Sequence, residues 1–199
     1  MPSTDDIYRQ LTGVWQMMTG KPDGIRLLDL SADGFWNSFF AIVVAVPALI
    51  VGWVTIANDL GQYPDMFGSK LSILLRLAAV DLAAWIVPLA AFVFAAPLLG
   101  IGDRIVHFIV SSNWGTALLV WVTLPPALLR LFMHDGGDFV TLLSLALFGL
   151  SLVLTWRLTN AALNKGAAVA TAVFLAMTFA SLVVPLMLLM LLGLSQPGS

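Results

Sequence analysis

The sequence predicts an all-α integral membrane protein, with five transmembrane helices behind an amphipathic N-terminal arm. Three observations carry that class. First, of 199 residues 60% are hydrophobic and 10% charged, where soluble domains average about 25% charged. A globular surface built from so few charges would not be solvated. Second, the apolar residues come in blocks rather than at the period of a half-buried helix or strand. Third, runs such as PLMLLMLLGL and ALLVWV lack the alternation that a membrane β-barrel strand requires.

The sequence contains no cysteine, which excludes disulfides, thiolate metal sites, iron–sulfur ligation and a cysteine nucleophile. The first 34 residues mix acids and bases, and the first apolar run is too long for a signal h-region, so no cleavable signal peptide is expected.

Residues 1–34 form the arm. Ile7, Leu11, Val14, Trp15 and Met18 share one helical face. Thr4 before Asp5 and Asp6 suits a helix start, because acids there meet the positive end of the dipole. Gly20 and Pro22 end the helix. Two readings stay open: a helix lying in the membrane interface with Trp15 at headgroup depth, or one packed on the end of its own bundle. Arg9 against two acids makes it a poor sensor of lipid charge. Ile25, Leu27, Leu28 and Leu30, interleaved with Arg26, Asp29 and Asp33, read as a second short amphipathic piece.

The first crossing is 35–57, with Trp36 and Trp53 near its ends as interfacial aromatics and Pro47 as a bend. The second is 71–99, which is 30 residues if Gly100 is included. About 20 residues at ~1.5 Å each suffice for the hydrocarbon, so this helix must tilt, bend at Pro88 or project. The third, 105–132, is interrupted by Ser111-Ser112-Asn113-Trp114-Gly115 and by Pro125-Pro126, and a single crossing broken at Asn113 is expected. The fourth is 139–157, with the helix continuing toward Asn160. The fifth is 166–194, uncharged, with Pro185 as a kink point, and a tail, 195–199, follows. Five crossings put the termini on opposite sides. Six basic residues on the N-terminal side (Arg9, Lys21, Arg26, Arg104, Arg157, Lys165) against three opposite (Lys70, Arg76, Arg130) favour a cytoplasmic N-terminus and an outside C-terminus.

Helix association in lipid depends on close packing at small residues. Ala168, Ala172, Ala176 and Ala180 form such a row on the fifth helix. Ser144, Ser151, Thr155 and Thr159 form another on the fourth, and these faces are expected to meet each other or the second helix.

Two polar groups are candidate sites. Asp81 lies inside the second crossing, where a carboxylate costs ~2.5–3.5 kcal/mol on insertion scales. Its expected company is Arg130 and His134, with Arg76 a less natural partner. The set is read either as a proton or substrate site or as an ion pair between helices. On the inner side, Asn37, Asn113, Arg157 and Asn160, with Trp114 and Asp33, form either interhelical hydrogen bonds or the mouth of a cavity. HExxH, GxSxG, P-loop and GxGxxG signatures are missing. His107 and His134 fall on opposite sides. No catalytic residue, cofactor or metal is expected, and nothing is basic enough for nucleic acid.

Asp33-Gly34-Phe35-Trp36-Asn37-Ser38-Phe39-Phe40 leading to Pro47, Asn113-Trp114 after IVSS, and Trp156-Arg157 with Ala161-Ala162-Leu163 resemble alphaproteobacterial membrane proteins related to the Yip (Ypt-interacting protein) family. The DLYGP-type signature of the eukaryotic members is absent. The resemblance implies five helices, a cytoplasmic N-terminus, a bacterial inner membrane and no catalytic residues. The functional expectation is a non-enzymatic module that organises lipid or binds a membrane-protein partner or a second copy. The alternatives are a small permease or channel subunit using Asp81 and Arg130, and an intramembrane lipid enzyme with only Asp81 and His134 for acid–base work.

Overall fold

A computed structural model describes residues 1–62, 68–132 and 137–194. It is all-α, with no strand among the described residues. Five helices are long and apolar enough to cross a membrane.

The arm opens with α1, Thr4–Met18. Its N-cap is Ser3, one residue before the expected start. The Ser3 hydroxyl accepts from the Asp6 amide while the Asp6 carboxylate accepts from the Ser3 amide, which satisfies two orphan donors reciprocally. A 3-10 turn, Pro22–Leu27, runs back along α1. The two can touch because both sides are glycine: a Cβ on Gly13 would come within 2.8 Å of the Gly24 carbonyl, and one on Gly24 would collide with the Gly13 carbonyl. Val14, Met17 and Met18 are buried against Val110, Trp114, Leu154 and Leu158 of the bundle. Tyr8 and Trp15 face outward, Trp15 about half exposed at 47%. Of the two readings left open for the arm, packing on the bundle's own end is the one seen.

Span 1 is α2, Ala32–Ser38, and α3, Phe40–Leu60. Helix α3 continues through Pro47, which donates no backbone hydrogen bond and loosens its turn. In that turn the Val44 carbonyl accepts from Trp121 Nε1 at 3.0 Å, an example of a neighbouring helix serving loosened backbone in a membrane. Span 2 is α4, Lys70–Leu98. Span 3 is α5, Ile105–Val122, then α6, Leu124–Phe132. The expected break at Asn113 is not there. Asn113 stays helical because its side chain finds partners on other helices, and the chain breaks at Thr123 instead. Pro125 lacks an N–H, and its ring crowds both the carbonyl four residues back and the residue before it.

Span 4 is α7, Gly137–Leu163, six residues longer at its C-terminal end than the 139–157 expected. The turn to span 5 is made by Asn164 at φ 47° and Gly166 at φ 91°. Span 5 is α8, Ala167–Leu191. On the arm side, Asp103 meets Lys165 at 3.0 Å and Arg104 at 3.3 Å, joining the turn that precedes span 3 to the turn that precedes span 5.

The spans pack as a ring in the order 1-2-5-4-3: span 1 lies against spans 2 and 3, span 2 against span 5, span 5 against span 4, and span 4 against span 3. On the arm side the ring is drawn shut by Phe92 against Phe108, ring centroids 4.3 Å apart, and by α1 beneath spans 3 and 4. At the far end Ile73 and Leu77 of α4 pack with Ala57, Leu60, Leu189 and Leu194. The arm and Leu194 therefore lie at opposite ends of the bundle. Outside, large apolar side chains stand free, Phe94, Leu98 and Phe179 among them. Such a surface would aggregate in water and is ordinary where lipid is the solvent.

Candidate functional site

The centre of the ring is not filled. A cavity of about 790 Å³ lies among all five spans. At about 30 Å³ per water it would hold roughly 25, and it opens between the helices, since Ile56, Phe148 and Leu182 of its lining are about half exposed. On α7 its wall runs from Ser144 to Thr159, 15 residues or about 22 Å of rise. The opposite wall is Thr55 and Ile56 of α3, Trp85 and Pro88 of α4, and Thr116 and Leu119 of α5 with Thr123 at its C-cap.

The cavity's polarity comes from hydroxyls, and local geometry explains how they tolerate the site. Thr55, Thr123, Ser144 and Ser151 each donate to the backbone carbonyl four residues back, at 2.7 to 3.0 Å. Their donors are satisfied within their own helix, and their methyl, methylene and lone-pair surface faces the space. Among the described residues, none of the lining side chains is Asp, Glu or His, and Arg130, at the far end, is the one ionisable group in that lining. Among the described residues, Arg130 has no carboxylate within 4.0 Å. Toward the arm the lining includes Gly115, Leu158 and, about two turns further along α5, Phe108. A Cβ on Gly115 would collide with Leu158 and come within 3.1 Å of Met18 Cε, so the arm reaches the base of the cavity.

The fourth-helix row Ser144, Ser151, Thr155 and Thr159, expected to be a packing seam, lines this cavity instead. Its expected counterpart is also displaced. Ala168, Ala172 and Ala176 are exposed and Ala180 is half-buried, whereas the buried positions of α8 are Ala170 and Val173. The row faces out of the ring because α8 is turned so that this second pair meets spans 2 and 4.

Asp81 does not pair with Arg130. Its carboxylate accepts from Trp53 Nε1 at 2.6 Å, and neither residue lines the cavity. The pair ties span 1 to span 2, and its partner is an indole N–H rather than a cation. Arg76 is also separate: its guanidinium donates to the Leu192 carbonyl at 3.2 Å, where a cation suits the negative end of α8. His134 lies outside the described residues.

The inner-side cluster resolves into one three-helix network. Trp85 Nε1 donates to Asn113 Oδ1 at 2.9 Å, and Asn113 Nδ2 donates to Ser38 Oγ at 2.8 Å. Ser38 Oγ then donates to the Phe35 carbonyl at 2.7 Å. Asn113 and Ser38 are fully buried. Asn37 and Arg157 are exposed and Asn160 is half-buried, and none of the three joins the network. Sequence reasoning chose Asn37 where its neighbour Ser38 does the bonding. Trp114 is buried beside the arm with its indole nitrogen unpartnered.

Among the described residues no three His, Asp or Glu side chains converge as metal ligands. The fold and cavity define a multi-pass helical membrane protein. Comparison of the chain with protein-family models, with curated proteins and with solved structures finds no match.

Proposed function

We propose that the protein is a non-enzymatic module that holds a small amphipathic molecule within the bilayer. The observation that carries this reading is the 790 Å³ cavity. It falls within the roughly 300–1,000 Å³ of small-molecule sites and lies between helices long and apolar enough to cross a membrane. A lining without Asp, Glu or His among the described residues supports binding over acid–base chemistry. The Asp81–Trp53 pair, lying off the cavity, argues against a relay shared by Asp81 and Arg130 in a permease.

The test is unfolding of the full chain in neutral detergent with and without a panel of single-chain amphiphiles. A binder stabilises by RT ln(1 + [L]/Kd). Ser151→Trp, which fills the cavity, should abolish the stabilisation. Equal stabilisation of the Trp variant overturns the reading.

A second reading, attachment to a partner or to a second copy of the chain, is favoured by the outward row of Ala168, Ala172 and Ala176, since small residues let helix backbones approach in lipid. The absence of cysteine makes the check direct: Ala172→Cys, oxidised in native membranes, should give a cross-linked dimer. Only monomer would leave the row facing lipid.

The excess of basic residues on the arm side supports a cytoplasmic N-terminus. The resemblance to Yip-related proteins supports the same orientation and a bacterial inner membrane. Labelling single cysteines at Ser3 and Lys70 from each side of the membrane tests the orientation.

A further inference from the structure

The cavity's length and Arg130, the one cation among its described lining residues, narrow the ligand, on the reading that the cavity is a binding site. We propose that the ligand is a single-chain amphiphile with an anionic headgroup, seated with its head at Arg130 and its tail running toward Gly115. The space is long: its wall on α7 runs from Ser144 to Thr159, about 22 Å of helix rise, which is room for an extended chain. The space is also polarised. Arg130 sits at the far end, near the last turn of α6, where a charge reaches the interface. The other end runs past Gly115 and Leu158, with the apolar tip of Met18 beside that glycine, toward Phe108. Between them Thr55, Thr123, Ser144 and Ser151 donate to carbonyls of their own helices and turn their methyl or methylene surface toward the space. A guanidinium presents several donors in one plane and matches carboxylate or phosphate oxygens. Both headgroups share this chemistry.

Native mass spectrometry of the full-length protein, released from neutral detergent, tests the proposal. The probes are palmitic acid, 16-carbon lysophosphatidic acid, hexadecanol and inorganic phosphate. The two anionic amphiphiles should bind about tenfold more tightly than hexadecanol, phosphate alone should not bind, and Arg130→Ala should abolish the preference while Arg130→Lys keeps most of it. The tighter of the two acids identifies the headgroup source. Hexadecanol binding as well as palmitate, an unchanged preference in Arg130→Ala, or tight binding of free phosphate overturns the anionic assignment. Hexadecanol bound by the native chain but lost in Ser151→Trp would then show that the cavity reading survives. Binding of every amphiphile unchanged by Ser151→Trp removes the cavity reading itself.

Discussion

The Asp81 carboxylate and the Trp53 indole are joined at 2.6 Å across spans 1 and 2, which gives an acid in the middle of a membrane helix a neutral donor for a partner. Trp53→Phe leaves the carboxylate without that donor and should destabilise the protein by about 1–2 kcal/mol. Asp81→Asn keeps a carbonyl oxygen for the indole and should stay within about 1 kcal/mol of the native chain. Unfolding in mixed micelles measures both. A large loss in Asp81→Asn would mean that the charge itself matters.

Asn113 is the shared member of the Trp85–Asn113–Ser38 network. Asn113→Leu strands the Trp85 N–H and removes the donor to Ser38. The expected loss is about 1–2 kcal/mol, the upper range for interhelical hydrogen bonds in membranes. Asn37→Leu should change little, since that side chain is exposed. The same unfolding experiment compares the two.

Gly24 faces the Gly13 carbonyl, a backbone atom that cannot swing aside. Gly24→Ala should overpack the arm by about 1–3 kcal/mol and speed tryptic cleavage at Arg9 and Arg26. Gly52→Ala, where nothing lies within 4 Å of the new methyl, is the matched control and should leave the cleavage rate unchanged.

The Ser3 hydroxyl, 2.7 Å from the Asp6 carboxylate, holds that group below its ordinary range, helped by the Ser3 amide. Ser31 does the same for Asp29. A lowered value means that the folded arm favours the charged form. Its contribution is therefore complete above the ordinary carboxylate value of about 3.9 and is lost as pH falls through the depressed one. Carboxyl titration by NMR should place Asp6 below about 3.9, and Ser3→Ala should move it up. The first turn of α1 should fray over the same pH range.

What the sequence made legible follows from what lipid demands. Unbroken apolar length marks a crossing whatever its neighbours, and all five spans lie close to where composition placed them. Identities of contact were harder. A search for the partner of Asp81 looks first for a cation, and nothing in a linear pattern marks an indole on the preceding helix. A heptad row of Ser144, Ser151, Thr155 and Thr159 reads the same whether it meets a helix or a void, because hydroxyls bonded to their own carbonyls suit either. Only the ring order distinguishes the two, and that order arises from non-local packing.

The ring order also dictates when the interior can come into being. Spans 1 to 4 emerge first and already hold every bond among Ser38, Trp85 and Asn113. The fifth must wedge between the second and the fourth to complete the circle. Until it arrives, the hydroxyl walls look onto bare lipid. A chain stopped after Asn164 should therefore keep the three-helix network and have no chamber, which makes the fifth span the keystone of the vessel.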